Sequence, residues 1–262
     1  MPGGFALVGV PTDRNSSYLR GAARAPAAVR AVLRSGSTNL TSEGGFALDA
    51  PGVMVDEGDL PLTEGEGDFA LIEAAFTGRA RPFLALGGDH SITYPIVRGL
   101  SRDQGPVNVL HFDAHPDLYH DFGGNPLSHA SPFARIMEEG RARRLVQVGI
   151  RTQNAHQAEQ ARRFSVETVF MDGFRAEDVP IPAPPLYVTI DLDALDPAFA
   201  PGVSHHEPGG LSVRDVLAVL RRIRGPLAGA DVVELNPDRD PVGTTAAVAA
   251  KLVKELGALL AR

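Results

Sequence analysis

The chain has no cysteine, which excludes disulfides and thiolate zinc sites. It has no apolar run long enough to cross a bilayer, since a spanning helix needs about 20 such residues. Positive charge is not in excess either. The formal net charge is −7, which argues against nucleic acid or an anionic membrane as the main partner. Met1-Pro2-Gly3-Gly4 runs straight into an apolar segment and lacks the basic and apolar regions of a signal peptide. No internal repeat is visible. What remains is a cytoplasmic enzyme by expectation, and 262 residues at 44% hydrophobic content are enough for one large α/β core spanning 1–262.

The stretch around which the rest is organised is Val109-Leu110-His111-Phe112-Asp113-Ala114-His115-Pro116-Asp117. It starts as an apolar strand and ends in metal-competent side chains at every second position. Side chains alternate faces along a strand, so Asp113, His115 and Asp117 are expected to converge where the strand ends. A solvated strand end is the plain alternative for this stretch alone. Tyr187-Val188-Thr189-Ile190-Asp191-Leu192-Asp193 repeats the pattern, and Phe83 to Ser91 ends in Gly87-Gly88-Asp89-His90. Four carboxylates packed together repel one another and raise their own pKa values. Two divalent cations would balance Asp113, Asp117, Asp191 and Asp193, so the pattern favours a binuclear site.

In chain order, strands are expected at Phe5 to Val10, Val53 to Val55, from Phe83 and Val109, and at Leu145 to Ile150, Thr168 to Met171, Tyr187 to Ile190 and Asp231 to Leu235. Helices are expected at Pro26 to Arg34, Phe69 to Phe76, Ser91 to Leu100, Ala130 to Glu139, Val213 to Arg222 and Thr244 to Ala261. This alternation implies a parallel sheet with helices on its faces. It suits an open doubly wound sheet or a closed eightfold barrel, and periodicity does not choose between them. In both, the loops after the strand C-termini build the site. The Pro-rich segment Pro180 to Pro185 reads as a surface connection.

Glu234 lies at the end of a strand expected to be buried, where an ionised carboxylate needs a partner. A structural Arg is one candidate; a substrate guanidinium held by paired hydrogen bonds is the other. His129, at a loop–helix junction, is either a helix-cap neighbour or a proton shuttle titrating near neutrality. His111 is expected to pack in the core. His205 and His206 are expected near the substrate entrance, His120 and His156 in solvent, and Asp196 in a turn.

Gly87-Gly88-Asp89-His90-Ser91, Phe112 to Asp117 and Ile190-Asp191-Leu192-Asp193-Ala194-Leu195-Asp196-Pro197 together resemble the ureohydrolase family of arginases, agmatinases and formiminoglutamases. The resemblance covers nearly the whole chain, from Gly9-Val10-Pro11-Thr12-Asp13 onward. Gly124 to Ile136, Ala200 to Leu211 and Val232 to Leu256 resemble plant-type arginases in particular. The resemblance implies a three-layer α/β/α sandwich with an open, mostly parallel sheet, and a homotrimer or homohexamer. It implies two Mn²⁺ ions, one held by His90, Asp113, Asp117 and Asp191, the other by Asp113, His115, Asp191 and Asp193. It also implies Glu234 as the guanidinium acceptor, Asp117 as a proton relay to the leaving amine and His129 as the shuttle to solvent. A pair of divalent cations lowers the pKa of bound water toward about 7.

One departure bears on the substrate. After Gly149-Ile150-Arg151, the best-known arginases carry Asp-x-Asp-x-x-Glu, acids that help hold the α-ammonium of arginine. Here Thr152, Asn154 and Gln157 stand in those positions. Asn154 is expected to accept from an ammonium without supplying charge. The plant-type motifs favour arginine; the neutral rim keeps agmatine and 4-guanidinobutyrate as alternatives. A single-zinc deacetylase on a related fold would need fewer acids and a Tyr beside the metal.

Overall fold

The computed structural model describes residues 3–262; Met1 and Pro2, with which the leader expectation begins, lie outside the described residues. The strands are β1 (Phe5–Val10), β2 (Met54–Asp59), β3 (Phe83–Gly87), β4 (Val107–Phe112), β5 (Ala142–Ile150), β6 (Glu167–Phe170), β7 (Leu186–Asp191) and β8 (Leu227–Val233). The helices are α1 (Ala25–Arg34), α2 (Asp68–Phe76), α3 (Thr93–Gln104), α4 (Pro132–Glu138), α5 (Ala155–Arg163), α6 (Val213–Leu220) and α7 (Thr244–Leu260). All strands join one parallel sheet in the order β2-β1-β3-β8-β7-β4-β5-β6. Because β2 and β6 each have a single neighbour, the sheet is open, which rules out the barrel.

Alternation along the strands divides the interior into two cores. Phe5 and Leu7 of β1, Leu84 and Leu86 of β3, and Val188 and Ile190 of β7 face α1, α6 and α7. Ala6, Val8 and Val10, Phe83 and Ala85, and Tyr187 face α2, α3 and α4. Strands covered on both faces need apolar side chains at nearly every position, as β1, β3 and β7 have. The last helix, α7, buries Leu252, Val253, Leu256, Leu259 and Leu260 against β8 and α1. Truncating one such leucine to Ala removes about 2–5 kcal/mol. No helix among the described residues is long and apolar enough to cross a membrane.

Three elements differ from the sequence reading, the first being β8, which starts four residues before the expected Asp231 and ends at Val233, ahead of Glu234. The strand expected at Val53 to Val55 starts at Met54 and continues through Asp56, Glu57 and Gly58 to Asp59. It is a sheet edge, where charge on an exposed strand discourages pairing with other chains, and acids there hide the strand from a pattern search. Helix α5 is absent from the reading altogether. Its residues are mostly polar, and its start is signalled by a capping box between Asn154 and Gln157.

The sheet order sets the site. β3, β8, β7 and β4 are neighbours at the centre, so the segments after their C-termini meet above one short stretch of sheet edge. His90, Glu234, Asp193 and the Asp113–Asp117 run lie on those segments, and Asp191 is the last residue of β7.

Candidate metal centre

The approach of these segments is a backbone matter first. At Gly88 a Cβ would lie 1.8 Å from the Thr12 carbonyl oxygen, so only glycine lets the turn after β3 pass the segment after β1. The turn ends in Asp89, whose Oδ1 accepts from Ser91 N–H at 3.0 Å and whose Oδ2 accepts from Asn15 N–H at 2.9 Å. Asp89 thereby caps the single turn His90–Ile92 and ties it to the 12–17 segment.

The convergence of Asp113, His115 and Asp117 is real, but strand alternation does not produce it. β4 ends at Phe112, and the three residues follow in a turn. His115 N–H donates to Asp113 Oδ1 at 2.6 Å, and Asp117 has φ 50°, a left-handed value that a non-glycine residue adopts at a cost. Asp193 likewise sits on a one-turn helix, its N–H donating to Asp191 Oδ1 at 2.8 Å.

Around His90 Nδ1 stand Asp113 Oδ2 at 3.1 Å, Asp117 Oδ2 at 3.1 Å and Asp191 Oδ2 at 3.2 Å. Around His115 Nδ1 stand Asp193 Oδ2 at 3.0 Å and Asp113 Oδ1 at 3.3 Å. Asp113 therefore turns one oxygen to each group. Separations near 3 Å are the edges of a polyhedron whose centre-to-ligand bonds are roughly 2.0–2.2 Å. His90 Nδ1 is buried and has no hydrogen-bond partner of acceptable geometry, while Nε2 is engaged with Thr189 Oγ1 at 3.0 Å. A nitrogen lone pair ringed by carboxylate oxygens is a poor arrangement unless a cation lies among them. The residues present fit a metal.

The charges say the same. Burial, with repulsion from Asp113, pushes Asp117 up to about 7, and burial, with repulsion from Asp193 and Asp113, holds Asp191 well above the carboxylate range. Asp193 is raised, burial again leading. Burial also works against ionised Asp113, but His111, His115 and His90 outweigh it and hold Asp113 well below the range. The site's own imidazoles hold Asp113 ionised, but they do not do so for Asp117, Asp191 and Asp193.

His111 packs in the core, its ring centroid 4.0 Å from that of Phe133 with the planes tilted by 30°. Gln147 Nε2 is oriented by its 2.6 Å bond to the Pro116 carbonyl and also donates to His111 Nδ1 at 3.0 Å. The His111 proton is therefore on Nε2, donated to Asp113 Oδ2 at 2.8 Å. Burial and the neighbouring imidazoles lower the ring's pKa to about 4, past the pull of Asp113. With both nitrogens engaged, His111 orients Asp113 and is not itself a free ligand.

No Arg meets Glu234. Its Oε1 accepts from His90 N–H at 2.8 Å and from His129 Nδ1 at 2.8 Å, and no donor reaches Oε2 among the described residues. Burial disfavours charge on Glu234, but His129 and the His90 N–H hold its pKa below the usual value. Glu234 has φ 66°, so its backbone too is held where glycine is usual. On the other side of the imidazole, Ser17 N–H and Oγ lie 3.2 and 2.8 Å from His129 Nε2. The two neighbours pull in opposite directions. Burial opposes the His129 cation, but Glu234 outweighs it and lifts the ring to about 9; the Ser17 N–H requires a lone pair on Nε2. A ring with its proton on Nδ1 satisfies both contacts. Ser17 gave no signal in the sequence.

The cavity above these groups encloses about 200 Å³. Its floor carries Asp117, Asp191, Asp193, His115, His129 and Glu234, and its walls include Tyr119, Thr152, Gln157 and His205. Asn154, expected to meet the substrate, does not line it. Its Oδ1 accepts from Gln157 N–H at 2.9 Å as the cap of α5, and its Nδ2 donates to Tyr119 Oη at 2.7 Å. The expected ammonium acceptor is spent on the helix end. His205 stands 5.1 Å from the His129 ring and 6.1 Å from His115, whereas His206 is exposed and bonds the Pro201 carbonyl. His120 and His156 are exposed, and Asp196 holds its turn through Ala198, Gly209 and Gly210 N–H.

Arg151 has a structural part that its motif position does not signal. Its guanidinium donates to the carbonyls of Asp193, Gly149, Ala194 and Leu195 at 2.7–3.4 Å, and to that of Glu207 at 2.5 Å. It binds the turn bearing Asp193 to the 205–210 segment.

The fold that gathers these acids and imidazoles has counterparts among known proteins. The family model described as the arginase family matches residues 4–258. Arginase 1, mitochondrial, of Arabidopsis thaliana is 50% identical over an alignment taking in 98% of this chain and 81% of that protein. The solved arginase of Medicago truncatula superposes with a TM-score of 0.92 at 45% identity, covering 100% of this chain and 88% of that one. A hypothetical agmatinase from Burkholderia thailandensis superposes at 0.87 with 32% identity, covering 98% and 85%. The chain belongs to the arginase family. The cytoplasmic expectation is overturned, because the Arabidopsis relative is a mitochondrial protein. Acidic charge and absent cysteine suit any reducing aqueous compartment, so composition could not make that distinction.

Proposed function

We propose that the chain, acting as one catalytic domain over 1–262, hydrolyses the guanidinium group of L-arginine to ornithine and urea. Arginine takes precedence over agmatine because the plant arginase shares 50% of aligned residues, against 32% for the agmatinase-like structure. The observation that carries the reading is Glu234: a buried, ionised carboxylate with Oε2 unpaired and no Arg to neutralise it. A cationic, planar donor arriving from the cavity fits that oxygen.

His90, Asp113, Asp117 and Asp191 would hold one Mn²⁺, and Asp113, His115, Asp191 and Asp193 the other; oxygen plus imidazole donors suit that ion. Bound there, the pair supplies Lewis acidity and hydroxide at neutral pH. The chain's own residues do the rest. Glu234 binds the guanidinium and fixes its plane. Asp117, on the cavity floor, passes a proton to the departing amine nitrogen. His129 holds a proton on Nδ1 and a lone pair on Nε2, so it can return protons from solvent by way of the Ser17 hydroxyl. A homotrimer or homohexamer is the assembly proposed, to be read by sedimentation.

The test is a panel. Mn²⁺-loaded protein is offered arginine, agmatine, 4-guanidinobutyrate and formiminoglutamate, and urea and formamide are measured. Urea from arginine with at least about tenfold higher kcat/KM than from agmatine supports the reading. Formamide alone, or urea chiefly from agmatine, overturns it.

A further inference from the structure

The unused chemistry of the pocket lies at its rim, and the α5 capping box determines its sign. An N–H can only donate, so Asn154 N–H, 3.3 Å from the Gln157 side chain, must meet Oε1. That fixes the amide with Nε2 on the other side. No acceptor meets Nε2 among the described residues, although Gln157 is 95% buried at 5% exposure and lines the cavity. The side chain is held in place by the cap while Nε2 stays accessible from the cavity, so it is a positioned donor free to meet a ligand.

The same logic reaches Tyr119. Gln157 N–H occupies Asn154 Oδ1, so the Asn154 atom at Tyr119 Oη is Nδ2, and it donates. The phenol oxygen is thus an acceptor toward Asn154, and its own proton is free for another partner. Tyr119 is held by Phe122 at 4.9 Å and stacked on His156 at 5.8 Å. Thr152 adds a hydroxyl to the same wall. The carboxylates that line the pocket belong to the floor, among the metal-type ligands and Glu234. The rim offers donors, and no negative charge.

Resting on the ureohydrolase reading above, the geometry points to a carboxylate subsite: Gln157 Nε2–H and Tyr119 O–H receive the substrate's distal carboxylate, and nothing at the rim reads its α-ammonium by charge. The substrate class is therefore the guanidino acids. Arginine is taken through its carboxylate, and 5-guanidinovalerate, which lacks only the α-amine, is taken as well. Agmatine keeps the amine and loses the one group the rim recognises.

The decisive variant is Gln157→Glu. It keeps an oxygen for Asn154 N–H, and glutamate is the usual partner at that place in a capping box, so α5 stays capped. It also deletes the donor and adds a repelling charge. For the wild type, 5-guanidinovalerate should come within about tenfold of arginine in kcat/KM, and agmatine should fall about a hundredfold below it, the range for a lost charge-assisted hydrogen bond. In the variant, KM for arginine should rise about tenfold or more while kcat holds, and agmatine should improve. Tyr119→Phe should raise KM for both acids and leave agmatine alone. Binding gives a readout independent of turnover: calorimetry on metal-loaded protein should show 5-aminovalerate binding and putrescine failing to bind. Urea from no compound would overturn the ureohydrolase reading, yet the binding contrast would still support the subsite. Equal use of arginine and agmatine, or an unchanged arginine KM in Gln157→Glu, would overturn the subsite alone.

Discussion

The floor and the rim of the pocket are built on opposite principles. On the floor, acids and imidazoles are crowded to about 3 Å by strand ends and turns, with Asp117 and Glu234 in left-handed backbone. At the rim, neutral side chains are ordered by a helix cap. The floor stores electrostatic strain that a cation relieves; the rim is satisfied apart from the donors it turns inward. Chemistry that must not vary is imposed through the backbone, while selectivity rests on side chains that a single substitution can replace.

The largest break should come on the floor. Asp193→Asn or Asp113→Asn should abolish urea release and lower metal content measured by elemental analysis, a loss exceeding the roughly 10–100-fold typical of outer-shell changes. His129→Asn should lower kcat by about 10²–10⁴-fold, with metal content intact, since it removes a proton-transfer group and no ligand. If metal is lost with it, His129 belongs to the structure of the centre instead. His111→Phe should come next, keeping the aromatic contact with Phe133 but freeing Asp113, and titration should show metal affinity falling about 10–100-fold.

Effects at the rim's support should be smaller and thermodynamic. Asn154→Ala removes a cap worth about 1 kcal/mol, read as a Tm drop of about 2–4 °C for a chain of this size. A control lies far from both regions. Arg214 and Lys251 hold Glu43 down to about 2 from 4.5, so its contribution is present above about 4.5 and lost as pH falls through about 2. Glu43→Gln should flatten that acid limb in urea unfolding, by under about 1 kcal/mol because the group is exposed.

The floor was legible in the sequence because each candidate follows an apolar run, and the end of a buried strand is where a chain can gather charge. The reason for convergence was not legible: spacing suggested alternation, whereas turns and an Asx contact at Asp113 do the work. Asn154 shows the converse. Its residue type suggested a ligand, but a helix start, invisible among the polar residues of α5, had the prior claim on its oxygen. Ser17 and Arg151 act across long sequence separations, through a backbone N–H and through carbonyls, and neither leaves a pattern to read.

Arg151 has a further consequence for how this protein can change over time. Every acceptor it grasps is a main-chain oxygen, so the identities of residues 194, 195 and 207 do not matter to the clamp. Ala194 and Leu195 are constrained by their places in the core, but the half-buried Glu207 can be exchanged for another residue while Asp193 stays where it is.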